Sequence, residues 1–198
     1  MQRMTRRSVR TVLAAAALSL LATSAFAAPV SYRIDPNHTN VLASWSHFGF
    51  SNPSIDFGKA DGTIVYDADN VTASSVEVTL PLTGLNALAD KFYDHLTSAD
   101  WFDAAQYPDA TFKSTSVADS GGGKLTVTGD LTVKGITRPV VLQVTLNKVG
   151  EQPMAKRPAI GFDAIATVKR SEFGLGKYAP NVSDEVVLRI TTEAVAAP

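Results

Sequence analysis

The chain has 198 residues, 45% of them hydrophobic, with 18 Lys and Arg against 19 Asp and Glu and no cysteine. The missing cysteine excludes disulfides, thiolate metal sites and a cysteine nucleophile. Beyond its first ten residues the chain has no basic run or stripe, and so lacks the phosphate-neutralising surface that nucleic-acid binding needs.

The first residues read as an address. Arg3, Arg6, Arg7 and Arg10 form a basic start, Thr11 to Leu21 are mostly apolar, and Ala25-Phe26-Ala27 is a small-x-small cleavage site. This is the pattern of a signal peptide over residues 1–27, taken by the general secretory route rather than the twin-arginine one. Its apolar run is too short for a comfortable membrane span, and no later segment supplies one. Cleavage leaves residues 28–198, 171 residues with 14 basic against 19 acidic side chains and a net charge of −5. That length suits one domain, expected in the periplasm.

Along this remainder, alternating segments follow one another. Val41, Ala43 and Trp45 alternate with polar Ser44 and Ser46, residues 62–66 read as a strand, and Val76, Val78 and Leu80 alternate with Ser75, Glu77 and Thr79. From about Asn86 to Ala105 the period changes: Leu88, Phe92, Tyr93, Leu96 and Phe102 come at helical spacing, with Ser98 or Asp100 able to cap a second short turn. The aromatic residues Phe92, Tyr93, Trp101 and Phe102 of this insertion suit either one end of a core or the lid of a pocket. Residues 110–117 resume the strand habit. Between Lys124 and Leu146 the alternation is nearly perfect, with Leu125, Val127, Leu131 and Val133, then Val140, Leu142, Val144 and Leu146, on the inward parity and turn chemistry from Gly135 to Pro139. Residues 159–168 and Val186, Leu188 and Ile190 complete about eight strands, the spacing of a sandwich or barrel. The fold class is therefore all-β and mainly antiparallel, with one short helical insertion and a greasy interior.

The residues that carry chemistry are few. No Gly-x-Ser-x-Gly elbow and no phosphate-cradling loop is present. His95 with Asp94, Asp100 or Asp103 is the only local cluster resembling a metal or acid-base site, and neighbours on a helix face apart. Lys134, Arg138 and Arg170 would grip a diphosphate only if the fold brought them together. No catalytic residue, metal site or cofactor is assigned.

Motifs spread over the chain resemble the YceI-like family of lipid- or polyisoprenoid-binding periplasmic proteins. They are His38, His47-Phe48-Gly49-Phe50-Ser51, Asp94-His95-Leu96, Ser98-Ala99-Asp100-Trp101-Phe102-Asp103, Tyr107-Pro108, Thr111 to Thr115, Thr128 to Thr132, Thr137-Arg138-Pro139, Gly161-Phe162, Arg170 to Gly174 and Asp184-Glu185-Val186. The resemblance implies an extended, lipocalin-like antiparallel barrel holding a long apolar chain. On parity and size, the expected ligand-binding walls are Trp45, Phe50, Tyr66, Val78, Leu80, Phe112, Leu125, Val127, Leu131, Val144, Phe162 and Leu188. Phe92, Leu96, Trp101 and Phe102 are expected over the mouth, His47 near a ligand head group, and Phe48 and His95 among the ligand-binding residues. The expected partner is an isoprenoid or acyl-chain lipid, carried by a monomer or homodimer. Two rival readings follow from the same residues: an enzyme using His95 on a lipid or quinone, and a stress or interaction protein whose barrel is filled solid.

Overall fold

The computed structural model describes residues 28–197; the expected signal peptide at 1–27 lies outside the described residues. In chain order these form β1 (Val30–Ile34), β2 (Asn40–Ser44), β3 (Ser54–Phe57), β4 (Asp61–Tyr66), β5 (Ser75–Pro81), β6 (Leu85–Asn86), helix α1 (Asp90–Thr97), β7 (Asp109–Gly121), β8 (Lys124–Val133), β9 (Ile136–Gln152), β10 (Arg157–Lys169) and β11 (Glu185–Ala196). Each of β1, β4, β5, β7, β8, β9, β10 and β11 pairs with the next, and β11 returns to β1 through Tyr32 opposite Ala196, closing a ring of eight. The short strands do not add further walls. β2 follows β1 along the same edge of β11, with Ala43 opposite Leu188, and β3 and β6 continue outward from β2. Three neighbouring walls of the barrel are thus strands interrupted midway, at residues 35–39, 58–60 and 82–84. Across this crease Gly58 N–H donates to the Gly84 carbonyl at 2.9 Å.

The hairpin of β8 and β9 shows why alternation was readable. Leu125 and Val127 are buried, their neighbours Thr126 and Thr128 less so, and Val140 and Val144 repeat the pattern on the partner strand. Its turn is tighter than Gly135 to Pro139. Lys134 and Gly135 alone make it, with φ of 51° and 71°, the positive values that a two-residue I′ turn requires. Ile136 to Pro139 already belong to β9, with Pro139 opposite Asp130.

The helical insertion is likewise shorter than its periodicity implied. Ser98 ends α1, its hydroxyl donating to the His95 carbonyl at 2.7 Å, and no second helix forms between it and β7. Residues 98–107 instead fold into turns, tied by Phe102 N–H to the Leu96 carbonyl at 2.9 Å and Tyr107 N–H to the Asp103 carbonyl at 2.8 Å. α1 and these turns link β6 to β7 and pack Phe92, Leu96 and Phe102 against Val41, Ala43, Ile55 and Phe57. At the other end Tyr32, Ile64, Leu125, Ile160 and Phe162 form a second cluster. No large side chain among the described residues falls below 2% exposed.

Candidate ligand-binding cavity

Two cavities stand out within the barrel among the described residues. The larger, about 550 Å³, lies on the β2–β3 side of the crease beneath α1; the smaller, about 160 Å³, lies on the β1–β4 side. The larger volume is within the range of small-molecule sites. Trp45, His47, Phe48, Phe92, His95, Leu96, Trp101 and Phe102 line the larger cavity. Tyr66, Val78, Phe112, Leu125, Val127, Val144 and Phe162 line the smaller, and Leu80, Leu131 and Leu188 line both. A barrel filled by its own side chains does not describe this interior.

Phe50 departs from its expected place. It is 93% exposed and faces neither cavity, because β2 stops at Ser44 and strand parity ends with it. Residues 47–51 form a tight turn closed by His47 N–H to the Ser51 carbonyl at 2.8 Å and Phe50 N–H to the His47 carbonyl at 3.0 Å. Sequence reasoning in turn passed over Ile55, Phe57, Phe173, Leu175, Tyr178 and Val182, which also line the larger cavity. Ile55 and Phe57 alternate with Ser54 and Asp56, a legible signal in a strand of only four residues. Residues 173–182 carry no period at all.

The larger cavity reaches the surface, its lining including the 49% exposed Phe48, the 55% exposed Tyr178 and the exposed His95. Two backbone contacts fasten its two loops together: Phe48 N–H donates to the Asn181 carbonyl at 2.8 Å, and Ser183 N–H donates to that of Ser46 at 2.9 Å. Behind them the rings of His95 and Tyr178 flank Trp101 at centroid distances of 5.3 and 6.4 Å.

Among the described residues Arg170 is the one Lys, Arg, Asp or Glu lining either of these cavities, and it is buried. Its guanidinium donates to four backbone carbonyls: Leu175, Lys177 at 2.9 Å, Val182 at 2.7 Å and Ser183 at 2.8 Å. It also lies 5.7 Å from the centre of the Trp101 ring. Burial pulls its pKa down, with Asp184 acting the other way. With those donors already engaged, Arg170 shapes the loop around the cavity and does not present a free cation to a guest. Lys134 and Arg138 do not join it: Lys134 reaches the Ala99 carbonyl at 2.9 Å and Arg138 the Thr137 carbonyl at 3.0 Å. A three-residue diphosphate grip is therefore not formed.

The acidic residues around His95 are dispersed. Asp100 pairs with Lys177 at 2.6 Å, and this hydrogen bond holds its carboxyl below the ordinary range. Among the described residues no three His, Asp or Glu side chains approach a common point suited to a metal ion. His38, outside the cavities, pairs with Asp35 at 2.7 Å; that hydrogen bond raises the His38 pKa and lowers that of Asp35.

Fold and site together define a lipocalin-like antiparallel β-barrel with an apolar, hollow interior. Residues 32–194 match the YceI-like domain, and the chain belongs to that family. It is 35% identical over 179 residues to protein YceI of Escherichia coli O6:H1, covering 89% of this chain and 93% of the relative. The crystal structure of BcnA from Burkholderia cenocepacia is similar with a TM-score of 0.73 and 29% identity, over 81% of this chain and 99% of that one. A polyisoprenoid binding domain from Saccharophagus degradans shares the fold, with a TM-score of 0.64 at 13% identity over 85% and 99% of the two chains. No helix among the described residues is long and apolar enough to cross a membrane.

Proposed function

We propose that this protein is a periplasmic carrier, exported by removal of residues 1–27, that holds one isoprenoid or acyl-chain lipid inside the barrel and performs no covalent chemistry on it. The observation that carries this reading is the cavity of about 550 Å³ with hydrocarbon walls and a mouth at one end. Each methylene moved from water to such walls contributes about 0.8 kcal/mol. A chain of about 16 carbons then gains on the order of 13 kcal/mol, to be set against association costs of about 4–15 kcal/mol. Long chains are held and short ones released, with no polar contact required. His47, His95 and Tyr178 at or near the mouth are the side chains for a head group, while Trp45, Phe92, Leu96 and Phe102 enclose the first part of the tail. The polyisoprenoid binding domain of Saccharophagus degradans, alike in fold, supports the choice of ligand class. The carrier works as a single domain over residues 28–198, as a monomer or homodimer, without a cofactor.

Native mass spectrometry of protein purified without detergent, followed by solvent extraction, tests this. One lipid per chain is expected. Protein that arrives empty and takes up no polyprenyl or fatty compound overturns it.

A further inference from the structure

We propose that Phe50, with Phe48, Leu88 and Tyr178 at the same end of the barrel, inserts into the surface of a phospholipid bilayer and lays the open side of the larger cavity against the membrane. The proposal rests on the carrier reading above and names the surface with which the carrier exchanges its cargo.

At 93% exposed, Phe50 is the barest large apolar side chain among the described residues, and Leu88, at 85%, is nearly as bare. The register puts them at one end. β2 stops at Ser44 opposite Ser54, so residues 45–53 form the connector beyond both strands. β6 runs antiparallel to β3 with Asn86 opposite Asp56, so the chain leaves β6 toward that same end and reaches Leu88 two residues on. Tyr178 belongs to the loop that is fastened to this connector by Phe48 N–H and the Asn181 carbonyl, and it lines the larger cavity together with Phe48.

The backbone is strained to keep these side chains in place. Seven non-glycine residues among the described ones have positive φ, and the only apolar or aromatic ones are Phe48, Leu88 and Tyr178, at 52°, 63° and 67°. Bulky residues avoid this region, and strain of this kind collects at functional sites. In the turn of residues 47–50, Phe48 takes a position before glycine that asparagine or aspartate ordinarily fills.

The four side chains come from three separate connectors. A stable dimer takes about 800 Å² from about 20–30 residues of each partner, more than they supply, whereas a bilayer interface accepts single aromatic rings without a matching shape. Charge does not draw the contact: residues 45–53 and 173–183 hold no Asp or Glu and one Lys, while Asp90 and Asp94 lie on α1. Continuity with the cavity selects a lipid surface as the occupant. Phe48 and Tyr178 are both exposed and cavity-lining, so a chain passing between bilayer and barrel stays in contact with apolar side chains.

The test is flotation of the protein, purified without detergent, with phosphatidylcholine vesicles. Wild type is expected to float with them equally at low and high salt, since screening weakens only charge. Phe50→Ser lowers the partition coefficient at least about tenfold, the worth of one buried ring. Leu88→Asn, a residue that tolerates positive φ, lowers it by about tenfold as well. Both variants keep lipid already bound, read by solvent extraction, because neither residue lines a cavity. Variants that float like wild type overturn the insertion, as does wild-type flotation that appears only on phosphatidylglycerol vesicles and is lost at high salt. Self-association in sedimentation velocity that Phe50→Ser abolishes also overturns it and gives the tip to a second copy. Wild type that floats yet neither carries nor takes up lipid overturns the carrier reading and leaves the insertion standing.

Discussion

Replacing Arg170 with methionine keeps an unbranched apolar stem but removes the guanidinium and all its donors, leaving four carbonyls to find other partners. Those of Lys177 and Ser183 lie near enough to the surface for water to replace the guanidinium, so their loss costs little. The Leu175 and Val182 carbonyls are buried. A hydrogen bond to a charged group contributes about 1.5–3 kcal/mol, so two give about 3–6 kcal/mol. Relief from holding a charge out of water offsets part of this, and a net loss of about 3 kcal/mol is expected. With urea m-values of about 1–3 kcal/mol/M, the unfolding midpoint falls by about 1–3 M, measured through tryptophan fluorescence. The same variant loosens the Leu175–Val182 wall of the cavity and weakens lipid retention. A stability loss under about 1 kcal/mol with retention unchanged refutes the argument, because the loop would then stand without its central fastening.

Further expectations concern packing and pH. A methyl group at Gly129 would sit 2.4 Å from Cζ of Phe112 and 2.6 Å from the Lys113 carbonyl oxygen, so Gly129→Ala overpacks the wall by about 1–3 kcal/mol. Calorimetry should show a Tm lowered by at least about 2 °C, and an unchanged Tm contradicts the close approach. Asp184 accepts from the Ser171 hydroxyl at 2.7 Å and the Ser171 N–H at 2.8 Å, and the hydroxyl contact leads in holding its pKa below the ordinary range. The folded state thus binds this proton more weakly than the unfolded chain, so the contribution is complete above the ordinary carboxyl value near about 3.9 and disappears as pH falls through the folded value. Asp184→Asn should therefore lower the urea midpoint at neutral pH and differ less from wild type in strong acid; an equal deficit at both would show that the carboxylate charge is not what matters.

Local rules carried the reading of the barrel a long way. The hairpin of β8 and β9 declared itself because every second side chain meets the interior, and that requirement acts residue by residue. β6 has two residues and exists only because β3 lies beside it, so no local pattern announces it. The insertion at 86–105 was recognised by its period, yet the helix proper ends at Thr97, where the carbonyls find Ser98 and the chain turns back. Most wall residues followed from parity, which extends only as far as the ladder that enforces it. Phe50 lies one turn beyond that limit. In the sequence Arg170 stands in a short motif and as one of three cations for a diphosphate; its role depends on carbonyls 5–13 residues further along, which meet it only after the loop folds back.

The crease at residues 35–39, 58–60 and 82–84 has a consequence for capacity. In a regular eight-stranded barrel, strand number and tilt fix a bore just wide enough for side chains or one slender guest. Here three adjacent staves bend at one level, and the wider compartment lies beyond the bend. Girth on that side is governed by three short connectors and the insertion that spans them. Changing their lengths would resize the vessel while leaving the hydrogen-bonded hoop above it intact.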